Sequence, residues 1–185
     1  MKTALAFPLS CTCGFSQFAS PDWEKADRAV ERLLPSKFPQ LPISIRHTLT
    51  RRGCTIPQVW GESKPRNVVR GQFIQKGELD WAVLCSVNQV SSILVFRGAS
   101  PTVFADLVRQ PDSTFLQTVT SGGIIGYSRG LAAVGREVIM SDYKAFGGEK
   151  PPPIDHQGVD DAFVGKASKI LYFYHGKWLT LQGAD

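Results

Sequence analysis

The chain is poor in histidine and cysteine, with three and four of them among 185 residues. Any centre built on imidazole must therefore draw on His47, His156 or His175. There is no low-complexity tract, no domain linker and no second copy of any segment, so one domain is expected and repeat architectures are excluded. No apolar run is long enough to span a bilayer. Charged residues make up 20% and hydrophobic residues 43%, a balance that excludes a disordered or membrane-embedded chain.

The formal charge is +5, and the excess sits early. Arg46, Arg51, Arg52, Lys64, Arg66 and Arg70 face only Glu62 over that span. Neither interleaved aromatics nor a nucleic-acid motif accompanies them, so nucleic acid is not an expected partner. A solvated basic face, or attraction to anionic glycans or lipid headgroups, fits better.

The first 16 residues read as a signal peptide. Lys2 supplies the charge, Thr3 to Cys13 is mostly apolar, and Gly14-Phe15-Ser16 offers small residues before a cleavage at Gln17. Cys11 and Cys13 raise the possibility of a lipoprotein, but neither has leucine three residues before it, so lipidation ranks second. The expected mature domain is 17–185, secreted or periplasmic. Cys54 and Cys85 then form an even pair in an oxidising compartment, where a disulfide is expected; two buried thiols are the alternative.

Ser20-Pro21-Asp22 opens a helix carrying Trp23, Ala26, Val30, Leu33 and Leu34 at helical spacing, stopped by Pro35. A second helix is expected over Ile43 to Arg52, ending at Gly53. From Asn67 onward β-rich runs are separated by Gly77 and by Asn88-Gln89, which reads as an antiparallel meander with Trp81 to Cys85 covered on both faces. Ser100-Pro101 should start a helix through Arg109. Phe115 to Val119 and Ile124-Ile125 are strands, Leu131 to Phe146 a helix bent near Gly135, and Ile170 to Leu181 a hairpin turning at His175-Gly176. The expected fold class is α+β: an antiparallel β-sheet with several short helices packed on it.

Within the meander, Gly71-x-Phe73, Gly77-x-x-Asp80-Trp81-Ala82-Val83, Ile93-Leu94-Val95-Phe96 and Gly98 resemble one FG-GAP/VCBS-type repeat, the blade unit of some extracellular β-propellers. The likeness covers residues 71–98. It implies a strand–turn–strand in a secreted protein. Gln72, Gln75 and Lys76 stand where that family's aspartates would be, so its calcium loop is not implied.

Two stretches look like sites. Gly126-Tyr127-Ser128-Arg129-Gly130 resembles the nucleophile elbow of α/β-hydrolases, where a strand-to-helix turn projects a serine beside oxyanion-stabilising N–H groups. The resemblance implies Ser128 as nucleophile, His175 as base, and Asp155, Asp160 or Asp161 as the orienting acid. Gly147 to Phe163 is a stiff tri-proline loop followed by Asp155, His156, Asp160 and Asp161. Those oxygens suit Ca²⁺; Zn²⁺, with His156 and a further ligand from His175 or His47, is second. Asp160-Asp161 could equally start a short helix. The catalytic readings converge on a secreted hydrolase of small esters or lactones, with catalytic Ser128, His175, His156 and Asp160 and metal ligands Asp155, His156, Asp160 and Asp161. The alternative is a non-catalytic secreted binding or inhibitor-type domain that takes an extracellular ligand, with the rigid acidic loop as part of its surface. A disulfide closing about 30 residues should contribute roughly 3–4 kcal/mol. Urea unfolding of the Cys54→Ser/Cys85→Ser variant is expected to show that loss.

Overall fold

The computed structural model describes residues 22–184. In chain order the elements are α1 (Trp23–Ala29), β1 (Arg32–Leu33), α2 (Ile43–Arg51), β2 (Ile56–Pro57), β3 (Val68–Gly71), β4 (Asp80–Val87), β5 (Val90–Phe96), β6 (Val103–Pro111), β7 (Leu116–Thr118), β8 (Ile125–Tyr127), β9 (Arg129–Val134), α3 (Arg136–Phe146), β10 (Gly158–Phe163), β11 (Ala167–Tyr174) and β12 (Lys177–Gln182). The described residues are mostly β. Two four-stranded antiparallel sheets, β3-β4-β5-β6 and β12-β11-β10-β9, are joined by two-stranded ribbons β1-β2 and β7-β8. The expected α+β class thus holds in part: antiparallel pairing and short helices are present, but the strands form several sheets and dominate the fold.

Layering follows from which faces are apolar. Ala82, Leu84, Ile93 and Val95 from the first sheet, with Phe73 from the loop after β3, meet Leu131, Val159 and Leu171 from the second. On the outer face of the first sheet, Trp81, Val83, Cys85, Leu94 and Phe96 pack against Ile45 and Leu49 of α2 and against Phe38 and Leu41. Ile139 of α3 covers Ile170, Tyr172 and Leu181 on the outer face of the second. The order is helix, sheet, sheet, helix. Every residue of β4 except Val87 is buried, as its two-faced apolar pattern requires.

Several expectations hold. Asn88 and Gln89 take φ of +50° and +61°, the backbone that a two-residue β4–β5 turn demands. Cys54 and Cys85 are bonded, Cα to Cα 5.1 Å, tying the end of α2 to β4. The β11–β12 hairpin turns at His175-Gly176. Asp80 accepts from the N–H groups of Phe73 and Ile74 at 3.1 and 3.0 Å and of Gly98 at 3.2 Å, closing the 72–79 loop onto its strands.

Others are corrected. α1 ends at Ala29, because Arg32-Leu33 pair with Pro57 and Ile56 and Pro35 favours extended backbone before it. Val30 and Leu33 enter different cores, so they do not share one helix face. The signal peptide, and Ser20 as helix cap, lie outside the described residues; Asp22 caps α1 by accepting from Lys25 N–H at 2.9 Å. The helix expected after Ser100-Pro101 is strand β6. Ser100 Oγ bonds Thr102 N–H in a local turn, and Val103, Ala105 and Leu107 then alternate toward the cores. Residues 131–134 belong to β9, paired with β10, and the helix begins only at Arg136.

One polar group crosses the inter-sheet core. Arg129, the first residue of β9, is fully buried. Its Nε and Nη2 donate to Asp161 Oδ1 and Oδ2 at 2.8 and 2.9 Å, Nη1 to Ser91 Oγ at 3.0 Å and its carbonyl at 3.5 Å, and Nη2 also to Val108 O at 3.0 Å. All five guanidinium N–H groups have acceptors. Phe115 stacks on it, ring centre 4.4 Å from the guanidinium carbon. Val108 has φ +50°, an outlier for a β-branched residue. It sits where the β5–β6 register shifts between Ser91 and Ile93, so a bulge aims its carbonyl at Arg129.

Removing one partner strands a buried charge, which costs about 3–5 kcal/mol. Arg129→Met or Asp161→Leu alone is expected to show that loss in denaturant unfolding, and the double variant to recover most of it. An unchanged midpoint in either single variant would contradict this role for the pair.

Candidate functional site

Residues 126–130 are explained by packing. Ser128 joins β8 to β9, both of them strands, so the strand-to-helix elbow implied by the resemblance is absent here. The Ser128 backbone is bonded on both sides, its N–H to Phe115 O at 2.9 Å and its carbonyl from Val164 N–H at 2.8 Å. A Cβ on Gly126 would lie 2.6 Å from Trp60 Cβ and Cγ, and one on Gly130 would lie 3.1 Å from Val164 Cγ2. Both glycines therefore stand where a neighbouring side chain presses on the backbone. Tyr127 fills the inter-sheet core, and burial raises its phenol above the ordinary range.

The histidines are elsewhere. Val164, bonded to Ser128, lies in the β10–β11 turn, whereas His175 lies in the turn at the other end of the 8-residue β11. At about 3.3 Å per residue that separation is roughly 26 Å. His156 is also at the far end. Its Nδ1 lies 3.0 Å from Gln157 O and its Nε2 2.9 Å from Phe173 O, and its ring stacks on Tyr172 with centres 4.3 Å apart. His47 is exposed on α2, beyond the first sheet. The structure therefore does not bring Ser128, a histidine and an aspartate together.

The acidic residues diverge too. Asp160 and Asp161 are strand residues of β10, not the start of a helix, and neighbours on a strand face opposite sides. Asp161 points inward to Arg129. Asp155 Oδ1 accepts from the Tyr172 hydroxyl at 3.1 Å, which fastens the tri-proline loop to β11. Both nitrogens of His156 already face carbonyls. Among the described residues no three His, Cys, Asp or Glu side chains are grouped to hold an ion, so the four predicted ligands do not form one site.

Asp160 faces outward, beside α3. Burial lifts its carboxyl above the ordinary range; a bond with Ser168 opposes this, and the charges of Asp142 and Asp161 add to it. Its Oδ1 is buried without a partner.

The structure also forms a cleft of about 430 Å³ that sequence reading does not find. Its walls are the end of α1, the 58–62 loop and β8. Ala26 and Ala29 give room on the α1 side, while Trp60 and Ile124, exposed by 47% and 52%, stand at its rim. Trp60 is held in place: its N–H donates to Tyr127 O at 2.8 Å, and its indole base rests on Gly126. The loop is closed by Gln58, whose Oε1 accepts from Arg66 N–H at 2.7 Å and whose Nε2 donates to Ile56 O at 2.8 Å. The only sequence cue was an aromatic, Trp60, amid the turn-forming residues Gly61, Ser63 and Pro65.

No family model, curated protein or solved structure matches the chain. The site therefore has to be read from its own geometry.

Asp160 supplies a pH test. Its raised folded-state pKa means the native protein holds that proton more tightly than the unfolded chain does. The ionised carboxylate then costs stability above the folded pKa, and this cost disappears below the unfolded value of about 4. Asp160→Asn is expected to raise the urea midpoint at pH 7, with the difference from wild type closing by about pH 3. A difference that does not change with pH would contradict it.

Proposed function

We propose that the chain is a non-catalytic ligand-binding domain, not an ester or lactone hydrolase, and that it binds in the cleft between α1, the 58–62 loop and β8. The observation that carries this reading is the placement of Trp60. A large aromatic, nearly half exposed, is fixed by a backbone bond and by contact with a glycine at the rim of a concave site. A preformed aromatic wall loses little entropy when a ligand arrives, and aromatic residues dominate the energetics of binding surfaces. A volume of about 430 Å³ falls within the range of small-ligand sites, about 300–1,000 Å³.

Two further features support it. The residues that suggested hydrolysis already have structural work: Arg129 and Asp161 satisfy each other, Gly126 seats Trp60, and His156 and Asp155 fasten a loop. The Cys54–Cys85 disulfide fits an oxidising, extracellular or periplasmic setting. No helix among the described residues is long and apolar enough to cross a membrane.

The test combines binding and turnover. A ligand-observed NMR screen of small fragments against the full chain should give hits that vanish in Trp60→Ala and weaken in Gly126→Ala, where the new methyl must displace the indole. Ser128→Ala should keep the same hits, and its rate on an activated ester should equal that of wild type. Ester turnover lost specifically in Ser128→Ala, or hits indifferent to Trp60, would overturn the proposal.

A further inference from the structure

The cleft's chemistry narrows what it can hold. Its ionisable lining residues, apart from the core phenol of Tyr127, are Glu31 and Glu62, with no lysine or arginine among them, in a chain whose formal charge is +5. Glu31 is exposed at the end of the α1 wall. Arg32, the next residue, is not available to neutralise it. Its Nη2 donates to Asp27 Oδ1 and Asp112 Oδ2, both at 2.9 Å, and its Nη1 donates to Asp27 O at 2.9 Å. Glu62 is bonded to Arg66 at 2.7 Å, which holds its pKa below the usual range and already answers its charge, so Glu31 is the acid of this lining that has no basic partner among the described residues. The same lining carries the Trp60 indole and the aliphatic Ile124. A carboxylate beside an indole and an apolar wall is complementary to a positive charge carried on an apolar body: the charge is attracted to the ring face and to the acid, and the body covers the apolar wall.

Resting on the binding role proposed above, we infer that the cleft's ligand is an apolar organic cation, an ammonium or guanidinium group on a hydrocarbon stem, seated against Trp60 and facing Glu31. The volume of the cleft, about 430 Å³, is that of a small-ligand site, so the ligand is a free small amine; a lysine or arginine side chain of a partner protein is the competing outcome of the test.

The experiment uses the ¹⁵N-labelled full chain and follows the Trp60 indole N–H, assigned with Trp60→Phe. It is titrated with choline, with its neutral isostere 3,3-dimethylbutanol, and with the N-acetyl methylamides of lysine and arginine. Saturable shifts with choline, at least about fivefold tighter than with the alcohol, and about fivefold weaker in Glu31→Gln, are expected. Preference for choline over the amino-acid amides identifies a small amine as the ligand, and the reverse order identifies a partner's side chain. If the alcohol binds as tightly as choline, or Glu31→Gln changes nothing, the cation assignment falls while the cleft remains a binding site. If no probe moves the Trp60 signal, both the assignment and the binding role fall with it.

Discussion

The fold depends on an ion pair taken out of water. Arg129 is buried between two sheets whose other contacts there are mostly apolar, and an unpaired guanidinium in that place would be untenable. Its five N–H groups are answered from three directions: Asp161 on β10, Ser91 on β5 and Val108 on β6. Hydrophobic packing is tolerant of small slides between sheets. A fork of five directional bonds is not. The pair therefore fixes how the two sheets stack, and the strain of Val108 is the local cost of completing it, on the order of 1–3 kcal/mol for such backbone. A second, part-buried set, Arg32 with Asp27, Asp112 and the Ser86 hydroxyl, anchors the end of α1 and so places one wall of the cleft.

Side-chain amides do the remaining joining. Asn67 Oδ1 accepts from Leu131 N–H at 2.9 Å, while its Nδ2 donates to Arg129 O at 3.0 Å and Pro57 O at 2.7 Å. Gln58 does the same for the two ends of the 59–66 loop. Each amide offers one donor side and one acceptor side, as a peptide group does, so it can substitute for a strand where no strand fits. Through Gln58 and Asn67 the cleft loop is tied at its base, and through Trp60 it is tied to β8. The site is thus positioned by the same contacts that hold the sheets in register.

Much of the local structure was legible in the sequence. Asn88-Gln89, Gly53, the Trp81–Cys85 run and the closing hairpin each carry a pattern with one physical solution. The errors share a cause. Val103, Phe104, Leu107 and Val108 fit a helical face, Val103, Ala105 and Leu107 an alternating strand, and only pairing with β5 decides between them. Leu131 to Val134 read as helix because nothing local reveals that β10, more than twenty residues later, will pair with them. Gly126 and Gly130 have the spacing of an elbow, but they are glycines because Trp60 and Val164 press on them from distant parts of the chain. The four acidic and imidazole groups after the tri-proline loop looked convergent only because they are close in sequence; a strand sends two of them to opposite faces. The cleft was illegible for the same reason, since its walls come from residues 26–31, 58–62 and 124–127.

The Asn67 bridge has a consequence for life at high concentration. β9 pairs with β10 on one side only, and the other side of a terminal strand is normally an open row of donors and acceptors that another molecule can extend. Here the Leu131 N–H and Arg129 carbonyl on that open side are already occupied by one side chain. An incoming strand would have to displace the amide first, and would then leave the buried Asn67 Oδ1 without a donor and its Nδ2 with the Pro57 carbonyl alone. A residue that joins two sheets within the molecule thereby guards one of their margins against runaway addition of further chains.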